Sequence, residues 1–373
     1  MINNMSNNKI KVVSLFSGIG GFEEGLKRSE INSEVVFASE IDVHARNSYK
    51  ANFGNINLFG DIKQVDEKSV PDHQLLLAGF PCQSFSIAGK QKGFSDIRGT
   101  LFFDVVRILN EKKPKYVLLE NVKNLISHDK METIKKIVST LNEIGYTVDF
   151  TVINSSEAGV PQNRDRTYIC AIYDFPSEKF EDDIRNIKVN TLKKELNGTE
   201  FKGFNFFNKV EFQNKMKFLE DVIEKNVSQK FFFNTDKVRE FLNGNNIEDI
   251  LEKESKIIKL FDLPREVHND LERQRRVYST KGISPTVLAR SDSTKILVNT
   301  VEGKKIRKVT PVENFLIQGF EREFIRSIES TGMSITQMYK QSGNAVSPPV
   351  ITGILDYLYK TYMKKSIGVN KKC

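Results

Sequence analysis

The chain has 373 residues, more than one hydrophobic core usually serves, so we expect two domains. With 39% apolar and 28% charged residues it has the composition of a soluble globular protein, and no apolar stretch approaches the roughly 20 residues that span a bilayer. A net charge of +8 favours an anionic partner, and three cysteines are too few for a disulfide framework, so we expect a cytoplasmic protein without a membrane partner.

The first predicted unit is a strand at residues 10–15, a glycine-rich turn and a helix at residues 23–29. In this context glycines let the main chain approach a ligand closely. A second strand, at residues 35–39, leads into Glu40, which stands 22 residues after Gly18. A carboxylate there can accept hydrogen bonds from a ribose diol, and a solvated acid is the alternative. No P-loop lysine is nearby, which favours an adenosine ligand without phosphates.

Two further positions follow along the chain. Asp61 is interpreted either as a partner of an adenine amino group or as a cap for the next segment. The apolar run Leu75–Ala78 predicts a buried strand that Gly79 and Pro81 break, leaving Cys82 at the tip. A thiol at this edge of a sheet can act as a nucleophile, and a buried structural cysteine is the alternative.

Another buried strand, at residues 115–119, is followed directly by Glu120. Because parallel strands end at one edge of a sheet, Cys82 and Glu120 are predicted to face one pocket. Arg164 and Arg166 precede a strand at residues 167–173 and are predicted to share one face. The alternative is a surface cluster of ion pairs with Asp165.

The second half of the chain has a different character. The β/α alternation is lost over residues 174–274, which predicts a smaller, independent domain. Residues 271–286 combine Arg and Gln, which can read base edges, with Ser and Thr, although an ordinary basic loop is equally compatible.

Two stretches of the chain are rich in positive charge. Residues 89–115 contain seven Lys or Arg against three acids, and residues 304–308 form a second basic run. Thr310, Pro311 and Glu313 predict a capped helix start.

Taken together, these motifs resemble those of the DNA (cytosine-5)-methyltransferases of the bacterial modification type. The resemblance is ordered and covers nearly the whole chain, apart from residues 174–274. It rests on residues 16–21, Glu40, Asp61, and residues 81–83, 89–94, 98–102, 120–122, 162–166, 276–278 and 341–344.

The resemblance implies an α/β fold, in which a Rossmann-like sheet binds S-adenosylmethionine and a smaller, variable domain recognises the target. On this basis we predict a catalytic and cofactor-binding domain at residues 1–175 and a target-recognition domain at residues 176–300. A hinge and connecting helix at residues 301–336 would follow, and residues 337–373 would return to the catalytic domain.

The resemblance also implies roles for individual residues. Cys82 would attack C6 of a flipped-out cytosine, Glu120 would hold or donate the proton at N3, and Arg166, with Arg164 nearby, would bind O2. The implied cofactor contacts are Phe16, Gly18, Gly20, Gly21, Glu40, Ile41, Asp61, Ile62, Pro81, Asn344 and Ala345. The implied DNA contacts are Ser86, Lys90, Lys92, Arg98, Arg276, Tyr278 and Thr286, and no metal is implied.

The expected partner is double-stranded DNA, bound by a monomer that can be paired with a cognate restriction endonuclease. Two alternatives stay open: a tRNA cytosine-5 methyltransferase, and a catalytically inactive DNA-binding relative. The large variable segment favours duplex DNA over tRNA, and the presence of Cys82, Glu120 and Arg166 argues against an inactive protein. No physical code leads from these residues to the target sequence.

Overall fold

The computed structural model divides into two compact units, each made from separate stretches of the chain. The first unit contains Met1–Ile153, Asp165–Glu211 and Ile351–Cys373, and the second contains Asn154–Arg164 and Phe212–Val350. The structure describes residues 9–54, 56–81, 101–212, 215–245, 247, 252–291 and 294–364. Among these residues, no helix is both long and apolar enough to cross a membrane.

A seven-stranded sheet forms the centre of the first unit and confirms the predicted α/β class. Its strands are β1 (Ile10–Leu15), β2 (Ser33–Ser39), β3 (Leu58–Phe59), β4 (Leu75–Ala78), β5 (Tyr116–Val122), β6 (Tyr146–Asn154) and β7 (Asp165–Tyr173). Their order is β3-β2-β1-β4-β5-β7-β6. The first five strands in this order run parallel, and β7 pairs antiparallel with β5.

Burial explains why the central strands are apolar throughout. All four residues of β4 are fully buried, because β4 is a central strand that pairs with β1 on one side and with β5 on the other. In the register, Ala78 lies opposite Leu15 on one side and Leu119 on the other. The carboxyl ends of β1 and β4 therefore lie beside Leu119 at one edge of the sheet. β5 continues from there to Val122, so Glu120, which we predicted to follow the strand, lies within it and pairs with β7.

Helices of the first unit pack apolar faces against this sheet. They are α1 (Gly21–Arg28), α2 (Val43–Phe53), α3 (Leu101–Lys112), α4 (Glu132–Glu143) and α5 (Ile187–Leu196). In α4 the buried residues recur at helical spacing, at Ile134, Ile137, Val138 and Leu141. The Asp42 carboxylate caps α2 by accepting from the main-chain N–H groups of His44 and Ala45.

Residues 176–211, which we predicted for the second domain, belong to the first unit. Phe180 joins the core of the sheet, and the fully buried Lys193 ammonium lies 2.8 Å from Asp149 Oδ1 and 3.2 Å from Asp183 Oδ2. A buried charge without such partners would cost several kcal/mol, so these contacts fix the segment against β6. The compact unit therefore continues past the predicted boundary at residue 175, because tertiary contacts outweigh the change in sequence pattern.

The second unit contains a four-stranded sheet in the order β11-β10-β9-β8. These strands are β8 (Lys259–Asp262), β9 (Arg276–Tyr278), β10 (Lys295–Thr300) and β11 (Gly303–Lys308). The helices that come after α5 in the chain are α6 (Leu219–Val222), α7 (Asp236–Gly244), α8 (Glu272–Arg275), α9 (Pro311–Ile317), α10 (Arg322–Glu329), α11 (Ile335–Asn344) and α12 (Pro348–Leu358).

Both units also contain short helical segments. The 3₁₀ segments lie at Ile62–Gln64, Glu67–Ser69, Lys123–Ile126, His128–Met131, Ser155–Ala158, Phe207–Lys209 and Gln229–Phe231, and a π-helical turn lies at Tyr359–Met363.

The predicted hinge at residues 301–336 lies wholly within the second unit. The capping box at its centre is confirmed: Thr310 Oγ1 accepts from the Glu313 N–H at 3.1 Å, and Glu313 Oε2 accepts from the Thr310 N–H at 2.7 Å. Both Glu313 carboxylate oxygens also lie 2.7 Å from the buried Arg307 guanidinium. One cation of the basic run at residues 304–308 is therefore used inside the protein.

The C-terminal helix returns to the first unit from Ile351, whereas we predicted the return from residue 337. Thr352 Oγ1 donates to the Gly25 carbonyl at 3.0 Å, and Asp356 Oδ1 accepts from the Glu30 N–H at 2.7 Å. These contacts hold α12 against the end of α1.

Candidate active site

The turn after β1 has a main-chain shape that favours glycine. Gly18 and Gly20 have φ values of +57° and +96°, in the left-handed region. A Cβ at Gly20 would also lie 2.1 Å from the Phe53 ring. The turn therefore favours glycine at both positions, and it lies at the carboxyl end of β1, directly before α1.

The Glu40 carboxylate ties this turn to the end of β2. Its Oε2 accepts from the Gly18 N–H at 2.9 Å, and its Oε1 accepts from the Asp42 N–H at 2.7 Å. Burial raises the pKa of Glu40 above its ordinary value, against the effect of these two hydrogen bonds. A carboxylate has about four acceptor positions, so Glu40 can still accept from two hydroxyls. The geometry thus fits a ribose diol.

The other predicted cofactor residues of the first unit differ in exposure. The Ile41 side chain is 67% exposed, so an apolar surface is available next to the Glu40 carboxylate. Asp61 Oδ1 accepts from the Lys63 N–H at 3.1 Å, which matches the capping alternative. Ile62 is buried in the core, and Phe16 has a φ of +54°. The adenine contact of Asp61 stays a prediction.

The turn after β4 is anchored to β5. Asn121 Nδ2 donates to the Phe80 carbonyl at 2.7 Å, and both residues are buried. A Cβ at Gly79 would lie 3.5 Å from Glu120 Oε2. The ends of β4 and β5 therefore meet as predicted, with the Gly79–Pro81 turn beside the Glu120 carboxylate. We had not assigned a role to Asn121, and its place beside Glu120 at a strand end was the available signal.

Glu120 forms an ion pair with Arg166 from the neighbouring antiparallel strand. Arg166 Nε lies 3.2 Å from Glu120 Oε1, and the side chains are 16% and 11% exposed. Arg166 Nη1 also donates to the Asp165 carbonyl at 2.8 Å. The Asp165 carboxylate instead pairs with Lys123 at 2.8 Å. The Arg166 guanidinium is therefore paired with Glu120 and not with the Asp165 carboxylate, as the alternative of a surface cluster would require.

Arg164 occupies a different setting. The boundary between the two units falls between Arg164 and Asp165, so the two arginines that we predicted to share a face belong to different units. Arg164 is 3% exposed, and its Nη2 donates to the carbonyls of Gly343 and Ala345, both at 2.9 Å. These contacts indicate a guanidinium that organises main chain.

Several predicted residues lie outside the described part of the chain. They are Cys82, Ser86, Lys90, Lys92 and Arg98. Within the described part, no group of three or more His, Cys, Asp or Glu side chains could hold a metal ion.

The predicted DNA contacts in the second unit are Arg276, Tyr278 and Thr286, and each is either bonded within the protein or buried. Thr286 Oγ1 donates to the Asn163 carbonyl at 2.7 Å, and Tyr278 is 7% exposed. Arg276 Nη2 lies 2.7 Å from Glu272 Oε1, and this hydrogen bond raises the pKa of Arg276. The Arg273 side chain is exposed. Sequence reasoning singled out the stretch but did not separate Arg273 from its neighbours.

Arg273, Arg276, Tyr278 and Thr286 line a surface pocket in the second unit that is open to solvent. Four cations contribute to its wall, Arg273, Arg276, Arg290 and Lys295, and its described lining contains no carboxylate. Apolar residues such as Val287 and Leu288 complete the wall. A basic pocket with apolar sides suits a planar, polar ligand attached to phosphate. Arg290 and Lys295 were missed because they lie beyond the motif at residues 271–286.

A buried carboxyl behind the glycine turn was also missed. Glu23, in the first turn of α1, is 2% exposed and accepts from Tyr49 Oη at 3.1 Å. Burial raises the pKa of Glu23 from 4.5 to about 7, so this group changes charge near neutral pH. The sequence offered only an acidic residue in a first helical turn, which is usually exposed.

Comparison with known proteins gives one consistent family. The family model described as C-5 cytosine-specific DNA methylase matches residues 10–360. The chain is 36% identical to the type II methyltransferase M.SsoII of Shigella sonnei over 360 residues, covering 96% of this chain and 82% of that protein. It is 34% identical to the type II methyltransferase M.HhaI of Haemophilus parahaemolyticus over 354 residues, covering 94% and 93%.

Solved structures show the same fold at low identity. DNMT2 of Spodoptera frugiperda has a TM-score of 0.65 and 21% identity, covering 94% of this chain and all of that one. The methyltransferase EhMeth of Entamoeba histolytica has a TM-score of 0.65 and 19% identity, covering 95% of this chain and 98% of that one.

Proposed function

The chain belongs to the C-5 cytosine-specific DNA methylases, and from that premise we propose that it methylates C5 of a cytosine flipped out of a specific duplex DNA sequence. The methyl donor is S-adenosylmethionine, whose sulfonium supplies an electrophilic methyl group. The observation that carries the proposal is the Glu120–Arg166 ion pair beside the Gly79–Pro81 turn, directly before Cys82 in the sequence.

Cys82 is the nucleophile. Cytosine C5 reacts poorly with electrophiles, and the Cys82 thiolate overcomes this by forming a bond to C6, which moves the C5–C6 electron pair onto C5. C5 takes the methyl group and leaves S-adenosylhomocysteine. A base then removes the C5 proton, the electron pair restores the C5–C6 double bond, and the thiolate departs from C6. Flipping exposes C6 at a cost of a few kcal/mol.

Glu120 and Arg166 handle charge on the ring during these steps. Glu120 holds or donates a proton at N3, so that negative charge does not accumulate when the thiolate adds. Arg166 hydrogen-bonds O2 and stabilises the developing charge there. Their 3.2 Å contact supports these roles, because it keeps the carboxylate and the guanidinium within reach of adjacent positions on one pyrimidine.

Cofactor binding uses the turn after β1. Glu40 accepts from the ribose hydroxyls while its two internal hydrogen bonds hold the glycine turn in place. The exposed Ile41 side chain supplies an apolar face for the adenine, and Asp61 takes the adenine amino group. Phe16, Gly18, Gly20, Gly21, Ile62, Pro81, Asn344 and Ala345 complete the proposed contacts.

DNA binding divides between the units. The first unit carries catalysis and most of the proposed cofactor contacts, and the second supplies Asn344 and Ala345 and reads the target through Arg276, Tyr278, Thr286 and the basic pocket around them. Ser86, Lys90, Lys92 and Arg98 meet phosphates or steady a closed loop. The protein acts as a monomer in the cytoplasm and protects host DNA from a cognate endonuclease, in keeping with the names of its type II relatives.

Expression in a host that lacks cytosine methylation, followed by bisulfite sequencing, tests the reaction and reveals the target. We expect one short sequence to become methylated, and Cys82→Ser to leave it unmethylated. DNA with 5-fluorocytosine at that site should trap a covalent adduct, because fluorine cannot leave as a proton. Methylation of tRNA with none of DNA would overturn the DNA assignment, and methylation by Cys82→Ser would overturn the mechanism.

A further inference from the structure

One buried guanidinium in the second unit holds two separate loops. Arg164 Nη2 donates to the carbonyls of Gly343 and Ala345 at 2.9 Å each, and Nη1 donates to the Val287 carbonyl at 3.3 Å. All of these residues belong to the same compact unit. The C-terminal end of α11 with its cap Ala345 (residues 343–345, hereafter the turn) and the loop at residues 287–289 therefore share one anchor.

Two buried glutamines repeat this connection. Gln162 Oε1 accepts from the Val287 N–H at 2.8 Å, and Gln162 Nε2 donates to Gln318 Oε1 at 2.9 Å. Gln318 Nε2 in turn donates to the Ser342 carbonyl at 2.8 Å, and Gln318 Oε1 also accepts from Ser347 Oγ. Every one of these side chains is buried. The link between the two loops is thus a hydrogen-bonded network rather than a single contact.

Close packing makes the two loops move together. A Cβ at Gly343 would lie 2.3 Å from the Leu288 carbonyl carbon and 2.3 Å from the Ala289 nitrogen. The main chain of the turn therefore lies directly on the main chain of the loop, with no room for a methyl group. A shift of Leu288 away from this position would remove the packing against the Cα of Gly343, and a shift toward it would displace the turn.

The two loops have different proposed partners. Val287 and Leu288 line the basic pocket, together with Arg273, Arg276 and Arg290. Asn344 and Ala345, at the other end of the network, are proposed cofactor contacts. Resting on the proposed function, we infer that Arg164 is a positioning residue that couples recognition of the target DNA to cofactor binding.

The chemistry of arginine suits this role. A guanidinium is a planar fork with five N–H donors, so it can hold three carbonyls at fixed angles, whereas the ammonium of lysine is a compact point charge. Arg164→Lys keeps the positive charge but cannot reproduce the three contacts. We therefore expect the variant to loosen the link between the loops while keeping the charge of the cluster.

Binding of S-adenosylhomocysteine, which cannot react, measures this coupling. Its Kd is determined by calorimetry with and without a duplex that contains the methylated sequence, and with a scrambled duplex as reference. Coupling energies between sites usually correspond to about fivefold to 150-fold changes in affinity. We expect the target duplex to tighten binding at least about fivefold in the wild type and less than about twofold in Arg164→Lys.

Arg307→Lys is the matched control. Arg307 is a second buried arginine of the same unit, and its guanidinium contacts Glu313 and not the two loops. If loss of coupling merely reflected a destabilised unit, Arg307→Lys would lose it as well. We expect Arg307→Lys to keep the wild-type coupling at an equal loss in Tm. Gln162→Met, which removes a different part of the link, replaces Arg164→Lys if that variant does not fold.

The kinetic signature separates positioning from catalysis. In Arg164→Lys the KM for S-adenosylmethionine should rise in the presence of DNA, while kcat at saturating concentrations stays within about threefold of the wild type. Full coupling in both variants, or absence of coupling in an active wild type, would overturn the inference. Failure of the proposed function would look different, because the wild type itself would then transfer no methyl group to DNA.

Discussion

The edge of the sheet in the first unit and the polar network in the second unit both concentrate hydrogen-bonding side chains, but they differ in exposure. At the edge, Glu120 and Arg166 retain 11% and 16% exposure. In the network, Arg164 is 3% exposed and Gln162 and Gln318 are not exposed at all. Polar groups whose hydrogen bonds are all made within the protein fix the positions of the main chain. Polar groups that are still partly exposed to solvent can bind a ligand.

Arg164 and Arg166 make this contrast within three residues. The Arg166 guanidinium faces a carboxylate, so it lies in a setting where charge can be redistributed during a reaction. The Arg164 guanidinium faces neutral carbonyls of the main chain, whose positions it determines. We therefore predict that changes at the edge alter chemistry or affinity with little loss of stability, and that changes in the network lower stability and leave kcat nearly unchanged.

The largest expected effect is that of Glu120→Gln. The amide keeps the shape but cannot transfer a proton, so kcat should fall by about 100-fold to 10,000-fold while Tm stays close to the wild type. Single-turnover methylation and thermal unfolding measure the two quantities. Asp165→Asn is the matched control, since its carboxylate pairs with the 56% exposed Lys123 and should matter little. A large fall in Tm with unchanged kcat would contradict the comparison.

The network should respond in the opposite way to Gln318→Leu. This change removes the Gln318 partner of the Ser342 carbonyl and of Ser347 Oγ in a buried site, and it leaves Gln162 Nε2 with only a 3.5 Å contact to the Ile317 carbonyl. Buried groups that lose their partners cost about 1–3 kcal/mol each, so we expect the free energy of unfolding to fall by about 3 kcal/mol. Urea unfolding of Gln318→Leu and of the wild type measures this difference. A loss below about 0.5 kcal/mol would mean that the network is not satisfied internally.

Glu23 tests the comparison through pH. The pKa of Glu23 is raised from 4.5 to about 7, so its contribution to stability is present below pH 4.5 and is lost as the pH rises through 7. The glutamine side chain of Glu23→Gln cannot ionise. We expect this variant to have nearly the same free energy of unfolding as the wild type at pH 5, and a free energy about 1–3 kcal/mol higher than the wild type above pH 7. Unfolding curves at pH 5 and pH 8 check this. Equal pH dependence in both proteins would show that the Glu23 carboxyl is not buried as described.

The smallest expected effect is that of Glu40→Gln on cofactor affinity. A hydrogen bond to a charged group is worth about 1.5–3 kcal/mol, so the Kd for S-adenosylhomocysteine should rise roughly tenfold or more. Asp66→Asn is the control, because the Asp66 carboxylate also accepts a main-chain hydrogen bond, from the Lys68 N–H at 3.0 Å, but has no proposed ligand. An unchanged Kd for Glu40→Gln would reassign Glu40 to holding the glycine turn alone.

The sequence by itself determined the elements whose information is local. The strands at Ile10–Leu15 and Leu75–Ala78 were predicted to the residue, because apolar runs bounded by glycine and proline have few other solutions. The same logic located the capping box at Thr310, and it located Glu120 near the end of a strand, although β5 includes Glu120 and continues to Val122. Ordered motifs added the family, although they did not indicate which arginine contacts a carboxylate.

Only the tertiary structure decided the assignments that depend on long-range contacts. Residues 176–211 join the first unit through the buried Lys193 and its two aspartates, a pairing that bridges up to 44 residues of sequence and leaves no periodic pattern. Arg164 and Arg166 are equivalent in sequence, but one is buried against Gly343 and Ala345, about 180 residues away. Burial and pairing of polar groups are properties of the assembled core, so no local pattern of residues can specify them.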